Sequence, residues 1–146
     1  KNDDGASSKD AWNQPTDTHY TKLTTRTRIE GIELFTFISD NTCKENSFIS
    51  DDKKNNIVTI GRQASTPNGY VQELWDWQQN RSTSSADPLT IMHNHASSGI
   101  NSHNPSVGDY NSAVDYPNTK IYLYHAPKPT FYQYHSAKVI AADVTP

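Results

Sequence analysis

The segment Leu89-Thr90-Ile91-Met92 runs into His93-Asn94-His95, and Ser106-Val107-Gly108-Asp109 begins eleven residues after the second histidine. A short apolar run opened by Pro88 reads as a strand. The spacing of Val107, Tyr110 and Val114 predicts a helix beginning at Ser106. Residues two apart on a strand point to one side, so both imidazoles can face a single point. Side chains of a helix lean back toward its N-terminus, which lets Asp109 reach the same point. The pattern therefore demands that a strand end, a loop and a helix start converge. Two imidazoles and one carboxylate are the usual ligand types of a three-ligand zinc site with a fourth position open.

The rest of the chain suits a thin sheet with short helices. Only 33% of the 146 residues are hydrophobic and mean hydropathy is -0.84, but eight tyrosines, four phenylalanines and three tryptophans supply large apolar bodies with polar handles. Residues 1–18 are polar and read as a tail or linker, which leaves 19–146 as a single domain. Threonines alternate loosely from Tyr20 to Arg28, and Ile32-Glu33-Leu34-Phe35-Thr36-Phe37-Ile38 predicts a central strand. Ile57 to Ile60 predicts another, after a polar cluster from Ser50 to Asn56. Tyr70 to Gln79 fits a helix carrying Val71, Leu74, Trp75 and Gln78 on one face. Ile121–Tyr124, Thr130–Tyr134 and Val139–Ala142 complete the strands. The expected class is α+β, with a mixed, mainly antiparallel sheet flanked by short helices.

Charge and cysteine content exclude several functions. A net charge of -3 and a pI near 6.0 provide no basic field for phosphates, so no nucleic acid partner is expected. The lone Cys43 rules out an internal disulfide framework and any multi-cysteine zinc site. No stretch approaches the ~20 apolar residues of a membrane helix, so no membrane partner is expected. The start at Lys1 suggests a processed product or an excised domain.

The order of strand, His93-x-His95, loop, Ser106-x-x-Asp109 and further strands resembles the JAMM (JAB, MPN-plus) metalloprotease family, over roughly residues 29–134. Ala96 stands where that motif usually has proline, and ten residues separate His95 from Ser106 where seven are usual. The resemblance implies JAMM/MPN-like, cytidine-deaminase-like layering, with Zn2+ held by His93, His95 and Asp109. It implies that Ser106 helps stabilise the tetrahedral intermediate and that an upstream glutamate activates the water. Glu30 and Glu33 are the candidates; Glu45 and Glu73 fit worse by position. Glu33 is preferred, because a catalytic role explains a carboxylate inside an apolar strand. The implied reaction is hydrolysis of an isopeptide or peptide bond in a protein or peptide substrate, a ubiquitin-like one included. The fragment-like start and polar tail suit a secreted effector or toxin domain, with a cognate immunity protein as a further partner.

Plainer readings stand beside these. Ser-x-x-Asp before an apolar-periodic segment is also a helix-capping pattern. His19, His125 and His135 sit among tyrosines and threonines as structural residues would, and Cys43 reads as a free surface thiol. Two other functions compete. His93-Asn94-His95 with His103, Asn118 and His125 suggests an HNH-type nuclease, against which the charge argues. A non-catalytic MPN-like binding module would have the same fold.

Overall fold

A computed structural model describes residues 20–51, 55–61, 88–95 and 104–146. The expected tail, the helix expected at 70–79 and His103 lie outside those residues. Among these residues seven strands form one sheet: β1 (Tyr20–Thr24), β2 (Asn46–Ser50), β3 (Asn56–Gly61), β4 (Thr90–Asn94), β5 (Lys120–His125), β6 (Thr130–His135) and β7 (Lys138–Ala142). Their order across the sheet is β1-β3-β2-β4-β5-β6-β7. Neighbours pair antiparallel except β4 and β5, which run parallel with Thr90 opposite Lys120 and Asn94 opposite Tyr124. With helices α1 (Arg28–Asn41) and α2 (Val107–Ala113), the described residues make an α+β fold with a mixed sheet. No helix among them is long and apolar enough to cross a membrane.

Alternation along the strands sorts the core into two halves. Phe48, Val58, Met92, Tyr122 and Tyr124 face α1 and pack with its Phe35 and Ile38. Ile49, Ile91, Ile121, Leu123 and Tyr134 face the other way, where Ala113 of α2 and Tyr116 cover them. His93 shares the parity of Ile91, so it points to the α2 side.

Helix α1 corrects the strand expected at Ile32–Ile38. Its buried residues Gly31, Phe35, Ile38 and Ser39 recur at helical spacing. Thr27 caps its start: the Thr27 hydroxyl accepts from the Glu30 amide at 3.1 Å, and the Glu30 carboxylate accepts from the Thr27 amide at 3.3 Å. This is a complete capping box. It overrides the β propensity of the isoleucines and phenylalanines, because helical spacing lets one face meet the sheet while Ile29 and Phe37 stay exposed. Strand β2 was not anticipated at all. Its Asn46, Ser47 and Ser50 are buried with Phe48 and Ile49; Ser47 Oγ pairs with Thr59 Oγ1 at 2.5 Å and Ser50 Oγ donates to Asn56 Oδ1 at 2.9 Å.

Gly31 is where α1 touches β2 most closely. A Cβ there would meet the Phe48 ring, with Cζ at 2.8 Å, and Phe48 is fully buried. Gly31→Ala is expected to destabilise the protein by about 1–3 kcal/mol through overpacking, against the ~1 kcal/mol that alanine gains over glycine in a helix. Urea denaturation checks this. A midpoint that stays put or rises would show that the helix can withdraw from the sheet freely.

Candidate metal centre

The site lies at the carboxyl end of β4, on the α2 side of the sheet. His93 ends the β2–β4 register, opposite Ser47, and is 1% exposed. Its ring stands edge-on to Tyr134 with centroids 6.2 Å apart, and Tyr134 in turn meets Tyr110 at 5.8 Å. These aromatic contacts fix the plane of the imidazole. His95, two residues on, turns its ring to the same side, and the two Nε2 atoms are 3.3 Å apart.

Asp109 arrives from α2, whose N-cap is Ser106. The Ser106 hydroxyl accepts from the Asp109 amide at 3.1 Å, and Asp109 Oδ2 accepts from the Ser106 amide at 2.7 Å. The capping and ligand readings of Ser-x-x-Asp therefore coexist. The box holds the carboxylate so that Oδ1 lies 3.2 Å from His93 Nε2 and Oδ2 lies 3.1 Å from His95 Nε2.

The three ligand atoms lie within 4.8 Å of one another and could hold a metal ion. Their spacing tests the fit. Ligand atoms bound tetrahedrally at 2.0–2.1 Å stand about 3.3–3.4 Å apart; the two Nε2 atoms are 3.3 Å apart, and each meets its own Asp109 oxygen, at 3.2 Å for His93 and 3.1 Å for His95. The donor set of two imidazoles and one carboxylate suits a transition-metal ion rather than magnesium or calcium, which prefer all-oxygen shells.

Charge coupling binds the cluster together. Burial works to raise the Asp109 pKa, but the charge and hydrogen bond of His93, with bonds from His95 and the Ser106 amide, hold it far below the usual carboxylate range. Burial works against protonation of His95. Its hydrogen bond to Asp109 and the charges of Asp109 and Glu45 prevail and raise its pKa.

Glu45 is the site residue that sequence reasoning set aside. It is half-buried immediately before β2 and shares the parity of Ser47 and Ile49, which puts it on the α2 side. Burial raises its pKa, the charges of His93 and His95 pull it back, and Asp109 pushes it up again. Glu45 thus feels all three candidate ligands. The available signal was its position directly before a strand, concealed because β2 is mostly polar.

The preferred Glu33 and its alternative Glu30 lie elsewhere. Both belong to α1, which packs on the opposite face of the sheet. The Glu30 carboxylate is engaged in the capping box and with Arg26 Nη2 at 3.5 Å. Glu33 is exposed and lines a groove of about 570 Å3 with Arg28, Ile29, Phe131 and Val144. The case for Glu33 assumed a strand; on a helix its carboxylate reaches solvent and needs no functional explanation. His125 ends β5 and His135 ends β6, neither among the clustered ligands. Cys43 is exposed and free.

No family model, curated protein or solved structure matches this chain.

The purified protein is expected to take up one divalent transition-metal ion, and His95→Ala or Asp109→Asn to lose it, as read by elemental analysis after dialysis. Affinity should fall as pH drops through the raised pKa of His95, because the proton and the ion compete for Nε2. Equal metal content in wild type and His95→Ala would sink the site.

Proposed function

We propose that the chain is a zinc-dependent hydrolase of JAMM type that cleaves an isopeptide or peptide bond in a protein substrate. The observation that carries the reading is the meeting of a two-histidine, one-aspartate ligand set with a separate, half-buried carboxylate at the same end of β4. A metal-storage or purely structural site does not require the second carboxylate. The α+β fold with its mixed sheet, and the chain order His93, His95, Asp109, support this reading.

When bound, zinc supplies a Lewis acid for a carbonyl oxygen and lowers the pKa of a water to about 7. His93 Nε2, His95 Nε2 and the Asp109 carboxylate would hold the ion. Glu45 takes the role that the resemblance gave to Glu33 or Glu30: its carboxylate accepts the proton of the attacking water and delivers it to the leaving amine nitrogen. Burial suits it to this work by bringing its proton affinity closer to neutrality. The Ser106 oxygen accepts from the Asp109 amide, so its hydroxyl proton remains to be donated to the carbonyl oxygen as that oxygen gains charge. A ubiquitin-like tail is the substrate that the resemblance favours.

Zinc-loaded protein should cleave isopeptide-linked ubiquitin dimers or unfolded casein. Glu45→Gln should retain zinc and lose about 10²–10⁴-fold in rate, the usual contribution of general acid–base catalysis, while Glu33→Gln stays active. The reading fails if the loaded wild type cleaves neither substrate, or if Glu45→Gln cleaves as fast as wild type.

A further inference from the structure

The residue between the two histidines has a job of its own. Asn94 is 1% exposed, and strand alternation turns its side chain to the α1 face, away from His93. It does not touch the ligand cluster. Its carboxamide instead spans the two peptide groups that flank Glu45: Oδ1 accepts from the Asn46 amide at 2.6 Å, and Nδ2 donates to the Lys44 carbonyl at 3.0 Å. The carbonyl of Glu45 itself accepts from the Gly61 amide at 3.0 Å. Asn46 Nδ2 reinforces the bend by donating to Lys44 O at 3.0 Å and Thr42 Oγ1 at 3.3 Å.

This arrangement replaces a piece of sheet. The β2–β4 register runs from Ser50 opposite Thr90 to Ser47 opposite His93. One residue further, Asn46 donates to the Asn94 side chain. The chain preceding β2 is thereby tied to β4 at the level of the two histidines. A carboxamide is the group for this task, because it offers an acceptor and a donor in one plane. Aspartate would set an oxygen against the Lys44 carbonyl, and an aliphatic residue would take from the buried Asn46 amide its acceptor.

We infer that Asn94 is a positioning residue: by clamping the peptide groups on either side of Glu45, it holds that carboxylate beside the ion that its two neighbours bind. The functional consequence rests on the hydrolase reading above, whereas the clamp itself does not. One side of the segment 93–95 carries the two histidine ligands and the other sets the acid–base group, so the geometry between them is fixed within three residues.

Two measurements test this. In the metal-free protein, hydrogen exchange of the Asn46 amide should speed up about tenfold in Asn94→Ser, the value of one hydrogen bond, with the Phe48 and Ile49 amides unaffected. In the Co2+-loaded protein, Asn94→Ser and Asn94→Asp should bind Co2+ with less than the ~10-fold loss that follows removal of a ligand's own outer partner. Their visible absorption, which reports coordination geometry, should leave that of wild type and match Glu45→Gln. In a Glu45→Gln background, the change at residue 94 should add nothing. If Asn94→Ser does not fold, Asn94→Asp carries the test, since it keeps the acceptor for the Asn46 amide. Unchanged Asn46 exchange in Asn94→Ser overturns the clamp. So does a wild-type Co2+ spectrum in Asn94→Asp when Glu45→Gln differs. Failure of wild type to bind Co2+ would remove the metal reading and the role toward it, and Asn46 exchange would still decide the clamp.

Discussion

Strand β4 is buried along its whole length, from Thr90 to Asn94, and three of its five residues are polar. Burial of a polar group is tolerated only where it finds a partner, so each of these residues must bring another part of the chain to the sheet. Thr90 Oγ1 accepts from Arg28 Nε at 3.2 Å and Nη2 at 3.1 Å, and Arg28 Nη1 donates to the Pro146 carbonyl at 3.1 Å. The start of α1 and residue 146 are thus tied to one end of β4. His93 meets Asp109 and so anchors α2. Asn94 fastens the residues before β2. The helices and loops around the site are placed by the polar demands of this one strand.

The same economy appears in Asp109. One carboxylate closes the capping box of α2 through Oδ2, faces both imidazoles, and is stabilised in its charged form by all of them. An ion entering the cluster meets a carboxylate that is already ionised and already oriented. The helix cap performs the orienting that an outer-shell partner usually provides for a metal ligand, because the donor is a backbone amide fixed by the start of the helix.

Much of this was legible in the residues, unevenly so. The clustering of His93, His95 and Asp109 followed from two periodicities, two for a strand and 3.6 for a helix, and both hold here. Strands β3 to β7 carry enough β-branched and aromatic residues to announce themselves. Helix α1 was hidden because Ile32 to Ile38 is rich in strand formers. Its start was nonetheless written in Thr27-Arg28-Ile29-Glu30, a capping box whose glutamate is consumed in the cap. Strand β2 was hidden for the opposite reason: Asn46, Ser47 and Ser50 look like a turn until their partners Asn94, Thr59 and Asn56 are known. Such partners are long-range, and propensity carries no information about them. Losing β2 meant losing Glu45, since a glutamate before a strand cannot be recognised when the strand is not.

The parallel pairing of β4 with β5 explains why the site stands where it does. Parallel neighbours cannot be joined by a tight turn; the chain must cross over, here through α2, and re-enter the sheet at the end where β4 began. The crossover helix runs back along the sheet, so its first turn lies at the carboxyl end of β4. That is where His93 and His95 emerge, and where an open sheet leaves room for a ligand. Had β4 and β5 formed a hairpin, His95 would lie in a turn, with no helix start to deliver Asp109. The antiparallel partner on the other side of β4 completes the arrangement, since β2 begins where β4 ends, and the residue before β2 is Glu45. A strand flanked by one parallel and one antiparallel neighbour thus gathers at a single end its own carboxyl terminus, a helix start and the entry to another strand. The four side chains come from three separate stretches of chain, and only a mixed sheet brings those stretches to one point.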